Sequence, residues 1–229
     1  MTVRGAISGI ALTALLLFSV DAYANSARTT SSNSGDYISF LMIGSVAQVD
    51  DVALSSGTLQ ERNTDDTTAA PGIALGYNWA KKGIPIRSEI EYHYRVRFDF
   101  DLRSVGVSGY ENQLSTHALL VNAYYDYQLS DTWAVFGGVG IGWARNVSDV
   151  SLTSLNGGTS SERTDETDNF AWNLAIGAIW PFARNWDLEF RYRYINLGEV
   201  SSGQHTDGAT ITADSYTAHD VIIGINYRF

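Results

Sequence analysis

The chain contains no cysteine. A disulfide framework is excluded, and so is any thiolate metal site. Basic residues are scarce: fifteen lysines and arginines stand against twenty-five aspartates and glutamates, a net charge of −10. No basic patch interrupts that balance, so no nucleic-acid partner is expected. Long apolar runs are missing beyond the first twenty residues, which leaves no later candidate for a helical membrane span. The single early run, AISGIALTALLLFSV, follows Arg4 and precedes Ala22-Tyr23-Ala24. It is shorter than the roughly 20 residues a spanning helix needs, and it has the form of a secretory leader with an A-x-A cleavage site. Residues 1–24 are expected to be a signal peptide, with a mature start at Asn25. Residues 25–35, NSARTTSSNSG, read as a flexible polar tail.

What the chain does have is alternation. Residues 86–100 run IRSEIEYHYRVRFDF. One parity holds Ile86, Ser88, Ile90, Tyr92, Tyr94, Val96, Phe98 and Phe100; the other holds Arg87, Glu89, Glu91, His93, Arg95, Arg97 and Asp99. A period of two places these sets on opposite faces of a strand. At fifteen residues the strand is far longer than the mean of about five or six, and long enough to cross a bilayer at a tilt.

Eight such segments follow one another, over residues 36–50, 67–79, 86–100, 114–127, 133–147, 170–180, 186–197 and 215–229. Short turns at 80–85, 128–132 and 181–185 alternate with long polar stretches at 51–66, 101–113, 148–169 and 198–214, read as loops. This pattern predicts an all-β fold: an eight-stranded antiparallel up-and-down transmembrane β-barrel over residues 36–229. An even strand count puts both termini on the short-turn side, which is periplasmic. Closure is expected to satisfy every backbone donor and acceptor in hydrocarbon.

Tryptophans give a ruler. Trp79, Trp133, Trp180 and Trp186 lie beside short turns, and Trp143 and Trp172 lie toward the long loops. Trp133 and Trp143 share parity ten residues apart. At about 3.3 Å per residue and a tilt near 40° that spacing is about 25 Å, the height of a lipid-facing apolar band. With Tyr227, these residues are read as two aromatic girdles.

Side-chain size assigns the faces. The seventh segment carries Asp187, Glu189, Arg191 and Arg193 on one parity. Segments between the third and seventh carry Gly138, Gly140, Gly142, Ala171, Ala175 and Gly177, and the second carries Gly72, Ala74 and Gly76. These small residues are expected to make room for long arginines and glutamates crossing the lumen, since a small barrel only just holds its own interior side chains. The expected interior network is Arg87, Glu89, Glu91, His93, Arg95, Arg97, Asp126, Asp187, Glu189, Arg191, Arg193, Asp220 and Arg228. Buried charges persist only when paired and hydrogen-bonded, so a salt-bridged plug is expected in place of a water channel. The excess negative charge then falls to the loops, at residues such as Asp65, Asp66, Glu162, Asp165, Glu166, Asp168 and Asp207.

The last segment, HDVIIGINYRF, ends on an aromatic residue, Phe229. It resembles the closing strand of bacterial outer-membrane proteins. NAYYDYQLSDTWAVFGGVGIGWA and DLEFRYRYINLGE are similar to segments of the small opacity-type, OmpA-like outer-membrane β-barrel family, which includes proteins labelled porins. The resemblance covers essentially the mature chain. It implies location in a bacterial outer membrane, insertion by the barrel-assembly machinery with Phe229 as part of the signal, and contact with outer-membrane lipid. Family members include adhesins, serum-resistance factors and structural proteins, so host surface molecules are implied partners for the long loops. No peptidoglycan-binding domain of the OmpA type is expected.

Chemistry is thin by comparison. Of the four histidines, His93 is inward beside Glu91, His117 and His219 are on the outward parity, and His205 is in a loop. Ser115 and His117 share a face, but no H-x-S-N motif of a deacylase surrounds any histidine. The acidic pairs Asp65-Asp66 and Asp165-Glu166 do not follow an EF-hand pattern. No catalytic residues, cofactor or metal are expected. The expected role is structural or surface-interacting, with a small pore, an adhesin or serum-resistance factor and a lipid A enzyme as alternatives.

Overall fold

A chain that alternates in polarity at every second residue pairs into sheet, because only there do both parities find a suitable surface. The computed structural model describes residues 35–54, 59–61, 65–104, 108–154, 161–204 and 210–229. The expected leader and residues 25–34 of the tail lie outside the described residues, as does His205.

Eight long strands form the wall: β1 Asp36–Leu54, β2 Asp65–Asn78, β3 Ile86–Ser104, β4 Ser108–Gln128, β5 Ala134–Ser154, β6 Ser161–Ala183, β7 Trp186–Asn196 and β8 Thr210–Arg228. Each pairs antiparallel with the next. β1 also pairs with β8, from Tyr37↔Arg228 to Leu54↔Ile211, and this closes the barrel. The turn after β2 is a 3₁₀ segment, Trp79–Lys82, in which the Asn78 side chain accepts from the Ala80 N–H. Gly83 ends that segment at φ 76°, a left-handed conformation that glycine adopts without a Cβ clash.

The long stretches read as loops are largely strand. β4, β5 and β6 run for 21, 21 and 23 residues, about twice what a membrane-crossing strand requires. Within 148–169 the ladder continues from Ser148↔Asp165 to Leu152↔Ser161, and within 101–113 from Asp101↔Glu111 to Arg103↔Gly109. Polar sequence did not end these strands, because pairing already begun keeps satisfying backbone groups on both sides. Short strands Leu59–Glu61 and Val200–Gln204 add to β3 and β8 at the same end.

Two irregularities depart from an ideal cylinder. The β2–β3 ladder runs only from Asn78↔Arg87 to Gly72↔His93. Above it, β2 pairs with β1 alone, and the Thr68 hydroxyl bridges to the Val96 carbonyl at 2.6 Å. The ladder stops at Pro71, which has no N–H to contribute. The barrel is closed, with the β2–β3 seam paired over only part of its length. β3 also gains one residue against β4 between Arg95 and Phe98. The fifteen-residue alternation is thus a single register only up to Arg95. The Arg97 side chain lies outside the described ones.

Burial separates the two faces. Met42, Leu75, Ile90, Val121, Ile141, Phe170, Ile176 and Val221 are exposed on the outer wall, whereas Arg95, Arg191 and Arg193 are at most 2% exposed inside it.

Candidate functional site

The lumen is the most chemically distinctive part of the molecule. Its charges form one continuous chain that alternates in sign. Asp126 accepts from Arg87 Nε at 2.9 and 2.8 Å, and Arg87 Nη1 lies 3.3 Å from Glu89 Oε1. Glu89 accepts from Arg191 Nη2 at 3.1 Å, and Arg191 Nη1 donates to Glu91 at 2.9 Å. Glu91 accepts from Arg193 Nη1 at 2.6 Å, and Arg193 Nε donates to Asp220 at 2.9 Å. Asp220 accepts both bonds of Arg95 Nη2, at 3.0 and 2.7 Å. Glu189 bridges within the chain, taking Arg191 Nε at 2.6 Å and Arg87 Nη1 at 3.4 Å. Arg191 on β7 reaches Glu89 and Glu91 on β3, so the chain crosses the lumen between opposite walls. His93 Nδ1 lies 3.0 Å from Glu91 Oε1. Arg228 and Asp187 pair at 3.1 Å at the short-turn rim and, like Asp126, are less deeply buried than the central charges.

Neutral groups complete the packing, and these are the residues that sequence reasoning missed. The Tyr37 hydroxyl donates to Glu89 at 2.6 Å, Asn226 to Glu189 at 3.0 Å, Asn122 to Glu91 at 3.2 Å and Arg95 to the Ser45 hydroxyl at 2.6 Å. Tyr124 and Phe136 point inward and pack edge to face at 5.2 Å. Guanidinium groups lie over them: Arg87 at 4.8 Å from Phe136 and Arg191 at 4.7 Å from Tyr124. The small residues serve a different purpose from the one expected. A Cβ on Gly76 would strike the Tyr37 ring, on Gly138 the Tyr124 ring, and on Gly177 the Phe136 ring. These three glycines make room for inward aromatics, and two of those rings, Tyr124 and Phe136, in turn support the arginines; Gly140 instead lies against Asn122 and Asn173. Parity alone carried the signal: Tyr124 shares its face with Asn122 and Asp126.

Above the charges lies an apolar layer of Leu114, Leu197, Val200 and Tyr216, all buried. Asn146 Nδ2 donates to the carbonyls of Leu197 and Glu199 at 3.1 and 3.0 Å, which pins that segment into the barrel mouth. Gly198, at φ 81°, makes the bend.

On the outer wall, Trp133, Trp143, Trp172, Trp180 and Trp186 are each 37–40% exposed, and Trp79 is half-buried. Trp133 stacks on Trp180 at 6.1 Å and Trp186 packs on Tyr227 at 4.8 Å, both at the short-turn end. Phe229 N donates to the Asp36 carbonyl at 3.1 Å. His117 Nδ1 is engaged by the Tyr92 hydroxyl at 2.9 Å, not by Ser115. Among the described residues no group of three His, Cys, Asp or Glu stands close enough to hold a metal.

A closed eight-stranded antiparallel wall, apolar outside and ionic inside, defines an integral outer-membrane barrel. The chain belongs to the family of the outer membrane protein beta-barrel domain, whose model matches residues 10–229. It is 28% identical to outer membrane protein PagN of Salmonella typhimurium over 200 residues, 82% of this chain and 83% of PagN. It is 26% identical over 116 residues to a candidate adhesin of Rickettsia bellii, spanning 48% of this chain and about half, 51%, of that protein. Among solved structures, Neisserial surface protein A aligns at TM-score 0.56 and 16% identity, covering 86% of this chain and 98% of that one. OprG from Pseudomonas aeruginosa aligns at TM-score 0.52 and 13% identity, covering 86% and 97%. These two share the fold.

Proposed function

We propose that this barrel acts at its surface and not through its lumen: it is a rigid outer-membrane scaffold that presents acidic hairpins to host surface molecules. The observation that carries the reading is the unbroken ionic chain from Asp126 to Arg95, capped by the layer around Leu197. Passage of a solute would require breaking several buried ion pairs at once, each costing about 3–5 kcal/mol when one partner is left alone. The plug therefore stiffens the cylinder. The function is left to the hairpins, where Glu166 and Asp168 are exposed. The Rickettsia bellii relatives of this chain are named as candidate adhesins, which supports the same direction.

In this reading the tryptophans at the two strand ends are interfacial girdles, Phe229 belongs to the signal for the assembly machinery, and no catalytic step takes place. The test has two arms. Cells carrying the protein should bind host cells, and replacing residues 149–164, the outer part of the hairpin beyond the buried Asn146 and Ser148, by a short turn should abolish binding while leaving heat-modifiable gel mobility unchanged. The purified barrel in planar bilayers should show no reproducible single-channel steps; steady unitary conductance would establish the small-pore alternative. A change in lipid A mass dependent on the gene would establish the enzyme alternative.

A further inference from the structure

The outer wall repeats one arrangement twice. On the β3–β4 hairpin the Tyr92 hydroxyl lies 2.9 Å from His117 Nδ1, and the Tyr94 ring packs on the imidazole at 4.7 Å. On the β7–β8 hairpin the Tyr192 hydroxyl lies 2.7 Å from His219 Nδ1, and Tyr194 packs on that imidazole at 5.3 Å. Tyr94 and His117 are register partners, and so are Tyr194 and His219. Tyr94 and Tyr194 each stand eight residues beyond the first residue of their strands, Ile86 and Trp186. The two clusters therefore sit at one height on opposite sides of the barrel.

That height is the outer ring of tryptophans. Trp172 packs on Tyr194 at 5.6 Å, and Trp143 is the register partner of Leu119, two residues from His117. Hydrocarbon gives way to lipid headgroups at such a ring. Arg145 on β5 faces His117 across the ladder, with its guanidinium 5.2 Å from the Trp143 ring and bonded to Asp168 at 2.8 Å and Glu166 at 3.3 Å. On the other side Val46 of β1 faces His219.

An imidazole at the edge of hydrocarbon needs a partner for each nitrogen. With the tyrosine hydroxyl assigned as the donor to Nδ1, the imidazole proton lies on Nε2, and the second tyrosine ring holds the imidazole in place. We propose that these two clusters are binding sites for the phosphate of an outer-leaflet lipid headgroup, one on each side of the barrel, with the Nε2–H groups of His117 and His219 as donors. Phosphate oxygens are acceptors only, so an Nε2–H donor fits them, and the tyrosine faces supply apolar surface for the adjoining acyl chains. The site is continuous with the lipid-facing wall. The inference rests on the girdle reading of the tryptophans and is independent of the plugged lumen.

Native mass spectrometry of the full folded chain tests it, with purified bisphosphorylated lipid A, dephosphorylated lipid A and inorganic phosphate as probes. Up to two phosphorylated lipids should be retained. His117→Phe and His219→Phe should each retain one, and the double variant none, with unchanged heat-modifiable mobility. Tyr92→Phe with Tyr192→Phe removes only the two hydroxyls and should weaken retention about tenfold or more; this variant decides the matter if a histidine variant fails to fold. Equal retention by the tyrosine pair or by the histidine double variant overturns the proposal, as does equal retention of the dephosphorylated lipid. Displacement of the lipid by an equal concentration of inorganic phosphate overturns the assignment to a lipid headgroup.

Discussion

Strands β3 and β7 project Arg87, Glu89, Glu91, His93, Arg95, Asp187, Glu189, Arg191 and Arg193 into the lumen, whereas β5 and β6 project mainly glycine, alanine and asparagine. An eight-stranded cylinder has an interior just wide enough for its own side chains. Bulk on two strands therefore has to be matched by its absence on their neighbours. The complement is local and specific: Gly138 lies under Tyr124 of β4, and Gly177 under Phe136 of β5. What fills the space beside the charged strands is a pair of rings that carry guanidinium groups on their faces. The charged strands supply the bonds, and the small-residue strands set where those bonds can form.

Breaking the charged side should have the largest effect. Arg191→Leu leaves Glu89, Glu91 and Glu189 without their shared cation. The expected loss is about 3–5 kcal/mol, seen as a large drop in the temperature at which the folded gel band converts to the unfolded one. An unchanged transition would remove the network from the account of stability. On the small-residue side, Gly138→Ala puts a methyl group against the Ala123 carbonyl and the Tyr124 ring, whereas Gly137→Ala on the outer face meets nothing closer than 4.0 Å. The first should cost about 1–3 kcal/mol in urea unfolding from lipid vesicles, and the second should leave the midpoint where it was. Equal behaviour of the pair would show that close packing on β5 does not limit the barrel.

Tyr37→Phe probes the contact between the two systems, because that hydroxyl joins the aromatic layer to Glu89. Loss of a bond to a charged group is worth about 1.5–3 kcal/mol, so its unfolding midpoint should fall by less than that of Arg191→Leu. Arg145→Gln breaks an ion pair exposed to solvent. Its unfolding midpoint should match the wild type within error, as solvent and salt screen such pairs. A clear loss there would mean that the outer hairpins, and not only the lumen, hold the barrel together.

Much of this molecule is legible in one dimension. Alternation from Ile86 to Arg95 and from Trp186 to Asn196 separates an ionic face from an apolar one, and the positions of the tryptophans mark the strand ends. Polar composition misled at residues 148–169 and 101–113, which continue as paired hairpins. The place of Pro71 was legible but not its consequence, which depended on which edge of β2 faced β3. Tyr37, Tyr124 and Phe136 were passed over because an aromatic residue fits either face of a strand in a membrane barrel.

The sequence by itself determined the fold class, the strand count and the face on which the charged residues from Arg87 to Arg95 and from Asp187 to Arg193 lie. It could do so because side-chain direction along a strand follows from backbone stereochemistry, residue by residue. Only the tertiary structure decided that Arg95 meets Asp220 across a separation of 125 positions, that Arg191 serves three carboxylates at once, and that a tyrosine and a histidine meet on each of two opposite outer walls. Those pairings are set by register and by closure of the wall. Register and closure depend on all eight strands together, and no local pattern encodes them.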